Sequence, residues 1–139
     1  MAGKATATRS TRRGALRRHV ARAGLALLVA FAHQGAGAAD ALRGAQLYAA
    51  RCGGCHALDE NGPGPLHRGV VGRRAASVAG FAYSAALAKS GLTWTATNLD
   101  RWLADPNALV PGNRMVVRLA GLAEDRADLI AYLEAESLK

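Results

Sequence analysis

Apolar residues recur at helical spacing in several stretches of the chain, and these stretches alternate with long segments that show no period. The first predicted helix covers residues 40–51, with Asp40 as its N-cap. Gly44, Tyr48 and Cys52 follow at intervals of four residues and therefore share one face. A glycine inside a helix costs about 1 kcal/mol relative to alanine, and close approach of another helix is the usual compensation. We therefore expect this face to meet a second helix or a bound group.

Three further helices are predicted, over residues 84–90, 95–104 and 123–137. Ser84 and Thr95 are suitable caps for the first two, which end near Gly91 and at Asp105-Pro106. The last begins with acidic residues, which suit the first turns of a helix. The side chains predicted to face the core are Leu99, Trp102 and Leu103, and then Leu129, Ile130, Tyr132 and Leu133.

The segments between these helices lack a sustained period. Residues 57–83 are dominated by glycine, proline and arginine, and residues 108–121 are again loop-like. Loops this long in a small domain are normally functional or wrapped around something. The pattern therefore predicts an all-α domain of about four helices whose long loops enclose a bound group.

The N-terminal part of the chain has a different composition. Residues 1–22 are basic and contain no acidic residue, and a short apolar run followed by small residues comes next. This order is typical of a secretory signal peptide, and the apolar run is too short to span a bilayer comfortably. We expect residues 1–39 to be a signal peptide, cleaved after Ala38 or Ala39, and residues 40–139 to form one domain in the periplasm.

Two alternatives concern the same segment. An uncleaved amphipathic anchor is compatible with an apolar run of this length. Arg12 and Arg13 also resemble a twin-arginine signal, which exports folded proteins.

The charge balance changes once the signal is set aside. The whole chain carries a formal charge of +8, but seven of its 18 basic residues precede Asp40 and all ten acidic residues lie at or after it. The predicted mature domain is left with a net charge of +1. It also has no basic run with interleaved aromatic residues, so nothing in its composition favours nucleic-acid binding.

The only two cysteines belong to the sequence Cys52-Gly53-Gly54-Cys55-His56. C-x-x-C-H is the signature of covalent c-type haem attachment. Thiols about one helical turn apart can each add to a haem vinyl group, and the adjacent histidine then points toward the iron. A dithiol redox couple is the first alternative, but no predicted strands flank the motif. Zinc is the second, although it requires four ligands and only Cys52, Cys55, His56 and His67 are available.

A second axial ligand is the next question. If Met1 is lost with the signal, Met115 is the only methionine of the mature chain. On position alone, Met115 is explained equally well as an axial ligand and as a gap-filling core residue.

Six stretches, in the same order along the chain, resemble class I c-type cytochromes, the small soluble His/Met family that includes mitochondrial and bacterial cytochrome c. They are the haem motif, Gly64-Pro65 with Gly69-Val70-Val71-Gly72-Arg73, Phe81-Ala82-Tyr83-Ser84, Gly91-Leu92-Thr93-Trp94, Val110-Pro111-Gly112-Asn113-Arg114-Met115 and Asp128-Leu129-Ile130-Ala131-Tyr132-Leu133. The resemblance implies the cytochrome c fold, with one haem c attached through Cys52 and Cys55.

The resemblance also implies roles for individual residues. His56 and Met115 would ligate the iron, and Pro65 would support His56 through its own carbonyl or that of a neighbour. Haem propionates would be hydrogen-bonded or neutralised by three further residues, Arg73, Tyr83 and Trp94. The contact between the N- and C-terminal helices would join Gly44 and Tyr48 to Leu129 and Tyr132. His67 is a rival ligand, which we expect instead to be a solvent-exposed loop histidine.

Some positions depart from the mitochondrial pattern. Trp102 stands where a tyrosine is usual near the methionine sulfur, Asn113 replaces a serine or threonine, and Val117 replaces an aromatic residue. These differences affect the expected potential and the stiffness of the segment around Met115.

The resemblance implies a monomeric electron carrier rather than an enzyme. Its partners would be redox proteins of a respiratory, photosynthetic or dehydrogenase chain, such as a membrane oxidase, a bc-type complex or a dehydrogenase, with peripheral membrane contact at most. Five arginines are predicted to form a positive rim at the haem edge, Arg43, Arg68, Arg74, Arg114 and Arg118. An ordinary solvated mixture of charges is the alternative. Two other functions stay open, a haem peroxidase or ligand sensor with a dissociable methionine, and an electron-accepting subunit of an enzyme complex.

Overall fold

Five α-helices and the loops between them make up the described part of the chain. The computed structural model describes Met1, Gly3 and residues 38–139. Its helices are α1 (Ala41–Arg51), α2 (Ala85–Lys89), α3 (Ala96–Ala104), α4 (Pro106–Leu109) and α5 (Ala123–Ser137). The one extended pairing found among these residues is an isolated antiparallel bridge between Arg74 and Thr93. The all-α prediction is confirmed, whereas the predicted signal peptide lies almost wholly outside the described residues.

The predicted helix starts are confirmed by capping hydrogen bonds. The Asp40 carboxylate accepts from the backbone N–H groups of Leu42 and Arg43, at 2.8 and 3.1 Å. Ser84 caps α2 and Thr95 caps α3 in the same manner. A side-chain oxygen at this position satisfies N–H groups that have no partner within the helix. Because such bonds join residues two or three positions apart, the sequence alone could locate them.

The predicted loop from residue 108 is wrong at its first two residues, which belong to a short helix. A fifth helix, α4, covers Pro106–Leu109. Asp105 ends α3 and also caps α4, since its carboxylate accepts from the N–H groups of Asn107 and Ala108, each at 3.1 Å. Proline is favoured at the first helical position because its fixed φ suits the helix and its missing N–H would have no partner there. The Asp-Pro pair therefore both stops one helix and starts the next.

Helices α1 and α5 cross at Gly44. A Cβ added to Gly44 would lie 2.8 Å from the Tyr132 Cβ and nearer still to the Asp128 carbonyl, so only glycine permits this approach. One turn along, the rings of Tyr48 and Tyr132 pack with their centroids 5.2 Å apart. The expectation that this face of α1 meets a second helix is confirmed.

Two acidic side chains of α5, Asp128 and Glu136, are buried although the sequence pattern did not predict it. Asp128 accepts from the Asp40 backbone N–H at 2.7 Å and also pairs with Arg43. These two contacts lower the pKa of Asp128. Glu136 pairs with Lys139 and, at 2.7 Å, with Arg68, and both partners lower the pKa of Glu136. The carboxylates are therefore buried as charged, hydrogen-bonded groups that tie α5 to the start of the domain and to the loop after α1.

The core lies under the α1–α5 crossing and continues to α3. Leu129 of α5 is its most buried side chain, at 1% exposure. The predicted apolar stripe of α3, Leu99, Trp102 and Leu103, is buried as expected. The Leu119 N–H donates to the Leu103 carbonyl at 2.7 Å and so ties the segment before α5 to α3. Within residues 38–139 no helix has the length and apolar character needed to cross a membrane.

Candidate functional site

A cavity of about 260 Å³ lies between the end of α1, helix α3, helix α5 and the loops on either side. All eight residues predicted as site residues contribute to its wall: Cys52, Cys55, His56, Pro65, Arg73, Tyr83, Trp94 and Met115. These residues are distributed over more than 60 positions of the chain, and the fold brings them together at one place. The rest of the lining is largely apolar and includes Val70, Leu99, Trp102 and Leu129.

The two cysteines lie on a turn that continues from α1. The Cys52 N–H donates to the Tyr48 carbonyl, and the N–H groups of Cys55 and His56 both donate to the Cys52 carbonyl, at 3.0 and 2.9 Å. The turn places a buried Cys52 and an exposed Cys55 against the same cavity. Burial raises the pKa of the Cys52 thiol to about 11, with a smaller contribution from Cys55. Reactive redox cysteines need a lowered pKa, so this environment does not suit a dithiol couple.

The His56 ring is held on two sides by the loop that follows it. Its Nδ1 atom lies 2.8 Å from the Pro65 carbonyl oxygen. Because a carbonyl can only accept, this contact places the ring proton on Nδ1 and leaves the Nε2 lone pair for a metal. Gly64 lies against the ring, where an added Cβ would be 2.8 Å from Nε2. Burial lowers the pKa of His56, against the raising effect of the Pro65 contact.

His67 is not the solvent-exposed loop residue that the sequence suggested. Its ring is half-buried and stacks on the His56 ring, with centroids 3.9 Å apart and planes inclined by 17°. Its Nδ1 atom is buried without a hydrogen-bond partner among the described residues. Burial, together with the nearby His56 and Arg73, lowers the pKa of His67 to about 3. A stacked ring lies on the same side of the cavity as His56, whereas a rival axial ligand would have to lie opposite.

Arg73, Tyr83 and Trp94 form a second group on the cavity wall. The Arg73 guanidinium donates to the carbonyls of Arg68 and Leu66, at 2.8 and 2.7 Å, which fixes it in the loop. Trp94 is buried, and its backbone donates to the Arg73 carbonyl at 2.9 Å. Burial raises the pKa of Tyr83. A hydrogen bond with the backbone of Val78 and the positive charge of Arg73 offset part of this rise. The structure therefore provides polar donors at this otherwise apolar wall.

Met115 lies in a segment that we call the methionine loop, residues 110–118. The Met115 side chain is half-buried and lines the cavity, while its neighbour Val116 is 87% exposed. The Met115 N–H donates to the Asn113 side chain at 2.7 Å. Arg114 donates to the Ala82 carbonyl, which connects the loop to the segment before α2. The loop thus presents a thioether to the cavity from a largely exposed backbone.

The donor set of the cavity fits a covalently bound haem c. Two thiols on one turn, an imidazole with a free Nε2, a thioether and apolar walls are what such a group requires. The close contact between Gly64 and the His56 ring also matches a histidine that must be held in one orientation. A zinc site would need a closed set of donors, and within residues 38–139 no three histidine, cysteine or acidic side chains are arranged so that they could hold one metal ion.

The predicted positive rim requires correction. Arg43 pairs with Asp125 and Asp128, and Arg68 pairs with Asp59 and Glu136. Arg118 pairs with Asp105 at 2.9 Å. Only two of the five predicted arginines line the cavity, Arg74 and Arg114, and both are exposed.

Sequence reasoning missed a third arginine at this place. Arg51 is the last residue of α1, is exposed and also lines the cavity. Its position directly before Cys52 was the available signal. Arg51, Arg74 and Arg114 are hereafter the cavity arginines.

Known proteins resemble this chain in sequence and in fold. The family model for cytochrome c matches residues 41–136. Cytochrome c 2.1 of Caenorhabditis elegans is 41% identical over 104 residues, which cover 73% of this chain and 94% of that protein. Cytochrome c2 iso-2 of Magnetospirillum fulvum is 48% identical over 88 residues, or 60% of this chain and 90% of that protein.

A solved structure agrees with these matches. Cytochrome cH from Methylobacterium extorquens superposes with a TM-score of 0.66 at 44% sequence identity, covering 69% of this chain and 98% of that one. The resemblance inferred from the six sequence stretches and the expected cytochrome c fold are thereby confirmed. The family match covers nearly all of residues 38–139, and Cys52, Cys55 and His56 on the cavity wall fit the attachment motif. The chain therefore belongs to the cytochrome c family, whose members are electron-transfer proteins that carry covalent haem c.

Proposed function

We propose that the chain is an exported electron carrier in which His56 and Met115 are the two axial ligands of the haem iron. The observation that carries the proposal is the position of both side chains on the wall of one cavity, together with the two cysteines of the attachment motif. A haem held by these residues would supply the redox chemistry, because its iron can take up and release one electron.

His56 supplies an imidazole nitrogen of defined orientation. Its Nδ1 proton is given to the Pro65 carbonyl at 2.8 Å, so the ring cannot rotate without losing that hydrogen bond. A hydrogen bond of this kind fixes the tautomer and raises the basicity of the coordinating nitrogen. Burial lowers the pKa of His56 and keeps the ring neutral, which is the form that binds a metal.

Met115 supplies a soft thioether sulfur. Soft ligands favour the ferrous state, and histidine–methionine ligation raises the potential, as it does in cytochromes c. The apolar wall formed by Val70, Leu99 and Trp102 acts in the same direction, because extra positive charge is poorly solvated there. We expect a midpoint potential well above zero.

Arg73, Tyr83 and Trp94 are proposed to bind the haem propionates. Carboxylates at a partly buried wall need donors, and a guanidinium, a phenol and an indole can each provide one. Arg73 already donates to two backbone carbonyls, so its orientation is set by the loop.

The proposed partners are redox proteins of a respiratory, photosynthetic or dehydrogenase chain. The exposed Val116 beside Met115 provides an apolar contact, and the cavity arginines provide positive charge around it. No acidic side chain lines this cavity in the described part of the chain. Such a surface fits a partner with an acidic rim, and association should slow as ionic strength rises.

Export to the periplasm rests on the sequence of residues 1–39. The basic segment, the short apolar run and the small residues before Asp40 support a cleaved signal peptide. The N-terminal sequence of the exported protein would then begin at Ala39 or Asp40. A protein that retains residues 1–37 would contradict this part of the proposal.

Anaerobic redox titration with visible spectra tests the ligand assignment. The native protein should titrate as a single one-electron centre with a high potential and with the ferric absorption in the red that marks iron–thioether ligation. Met115→Ala should abolish that absorption and lower the potential. If the Met115→Ala protein keeps the native spectrum and potential, Met115 is not a ligand.

Carbon monoxide distinguishes electron transfer from the ligand-binding alternatives. A reduced protein with both axial positions taken by side chains should not bind it at neutral pH. Rapid binding to the reduced native protein would favour a ligand sensor or peroxidase instead.

A further inference from the structure

The methionine loop follows α4 and is only partly packed: Val110 is buried in the core, and Met115 and Val117 pack against it from a half-buried position. A second cavity of about 300 Å³ lies between this loop and α4. Its wall is formed by Asp105, Pro106, Asn107, Asn113, Arg114, Met115, Val116 and Arg118. Val116 points almost entirely into solvent. A partly packed, largely exposed segment opens more easily than a closely packed one unless polar contacts also hold it. Hydrogen bonds therefore add to the partial packing of Met115 in setting its position.

Asn113 makes more of these hydrogen bonds than any other side chain of the methionine loop in the described structure. Its Oδ1 accepts from the Met115 N–H at 2.7 Å. Its Nδ2 donates to the Val110 carbonyl at 2.8 Å and to Asn107 Oδ1 at 3.3 Å. The orientation of the amide is determined by its partners, since a backbone N–H can only donate and a carbonyl can only accept.

Both ends of one side chain thus join Met115 to the end of α4. Asn107 belongs to α4, and Val110 is its C-cap. At the far end of the loop, Arg118 pairs with Asp105, the residue that caps α4 at its N-terminus. A serine or threonine at position 113 could accept a hydrogen bond from the Met115 N–H. Its single hydroxyl could not at the same time donate to the Val110 carbonyl and to Asn107, as the planar amide of Asn113 does.

We infer that Asn113 is the positioning residue for Met115: its amide holds the methionine backbone against α4, so that the thioether stays directed into the cavity. The inference rests on the proposed role of Met115 as a ligand. Its function is to limit how often the thioether leaves the iron. Asn113 itself does not touch the cofactor site and does not line the main cavity.

Two readouts on the haem-loaded protein test this role. The first is the amide hydrogen exchange of Met115, which reports the Asn113 contact without reference to the iron. The second is the affinity of added imidazole for the ferric protein, which rises when Met115 leaves the iron more often. A hydrogen bond contributes about 1 kcal/mol, so Asn113→Ala should speed the exchange and tighten imidazole binding by about five- to tenfold.

Two further variants make the test specific. Asn113→Asp keeps an oxygen that can accept from Met115 but loses the Nδ2 donor. It should retain the protection of the Met115 amide and tighten imidazole binding less than Asn113→Ala does. Asn98→Ala is the matched control. Asn98 lies in α3, and its Nδ2 donates to the Thr93 backbone carbonyl at 2.8 Å, the same distance as between Asn113 Nδ2 and the Val110 carbonyl. It should change both readouts by less than about twofold.

The outcomes separate this inference from the ligand assignment. If Asn113→Ala matches the native protein in both readouts, or if Asn98→Ala tightens imidazole equally, Asn113 is not the positioning residue while Met115 ligation stands. If Met115→Ala leaves the ferric spectrum and the imidazole affinity unchanged, the ligand assignment fails and the inference fails with it.

Discussion

The two proposed ligands are held in different ways. His56 belongs to the histidine segment, residues 52–67, where its ring lies against Gly64, bonds to Pro65 and stacks on His67. Met115 belongs to the methionine loop, where its neighbour Val116 is exposed and the loop is joined to α4 by hydrogen bonds. His56 is closely packed as well as hydrogen-bonded, whereas Met115 is only partly packed and depends more on the hydrogen bonds of its loop.

This difference predicts which ligand yields first under stress. Interfaces that are closely packed have little freedom to open, whereas exposed loops open locally at low free-energy cost. Thermal motion, added ligands or mild denaturant should therefore displace Met115 long before His56. The same difference predicts two kinds of sensitive position. In the histidine segment, added side-chain volume should be harmful. In the methionine loop, the loss of a hydrogen bond or the introduction of backbone strain should be harmful.

Gly64→Ala should have the largest effect. The new Cβ would enter the space of the His56 ring, so the ring or the loop must shift, at a cost of about 3 kcal/mol in unfolding free energy. Denaturant unfolding of the haem-loaded protein measures the cost, and the visible spectrum reports whether His56 stays bound.

Gly62→Ala is the control in the same loop. Its added Cβ would meet nothing closer than the Cys55 carbonyl at 3.5 Å, which is ordinary contact. We expect a much smaller change. Equal stability of the two variants would show that the His56 ring is not packed against Gly64.

The same valine-to-alanine substitution, made once at a buried and once at an exposed position, tests the difference in packing between the two regions. Val70 and Val116 both line the main cavity, but Val70 is 4% exposed and Val116 is 87% exposed. Val70→Ala should lower the unfolding free energy by about 2 kcal/mol, because it removes buried apolar volume. Val116→Ala should change it by less than about 0.5 kcal/mol. A comparable loss at both positions would mean that Val116 is packed as Val70 is.

Gly112→Ala should affect the methionine side through the backbone. Gly112 has φ = +83°, a region that costs other residues about 1 to 2 kcal/mol. An added Cβ would meet only the Ala86 Cβ, at 3.5 Å, so the effect is strain rather than collision. We expect imidazole to bind the ferric protein more tightly in this variant, while the His56 environment seen by NMR is unchanged. An altered His56 signal with unchanged imidazole affinity would reverse the assignment of the two regions.

Asn61→Ala should have the smallest effect on ligation. Asn61 resembles Asn113 in using both ends of its amide, since it accepts from the Leu66 N–H and donates to the Ala79 carbonyl, each at 3.0 Å. Its loss should cost about 1 kcal/mol of stability. Because packing also holds His56, neither the potential nor the imidazole affinity should move appreciably. A shift in either as large as that of Asn113→Ala would show that hydrogen bonds matter equally on both sides.

Local chemistry explains what could be predicted along the chain. The caps Asp40, Ser84 and Thr95 and the spacing of the attachment motif involve residues that are neighbours in sequence, so their contacts do not depend on the rest of the fold. The helix over residues 123–137 was predicted with the bounds that the structure shows. Helix α4 was missed because Asp105-Pro106 was interpreted only as a stop, although the same pair is also a good start.

Long-range partners explain the errors. Asp128 and Glu136 are buried because Arg43 and Arg68, more than 60 residues away, neutralise them. The same pairs remove these arginines from the predicted rim. His67 appeared to be a surface residue because its stacking partner His56 is eleven positions away in a loop without a period.

The sequence by itself determined the helical pattern, the chemistry of the Cys52–His56 motif and, through six ordered stretches, the family. Those features depend on the spacing and the type of residues, both of which can be read from the sequence itself. Only the tertiary structure decided that the carbonyl bonded to His56 is that of Pro65 itself and not a neighbour's, which charged groups are paired and how Asn113 connects Met115 to α4. These features arise from contacts between segments whose distance in space is set by the α1–α5 crossing and by the loops around the cavity, and no local pattern encodes that distance.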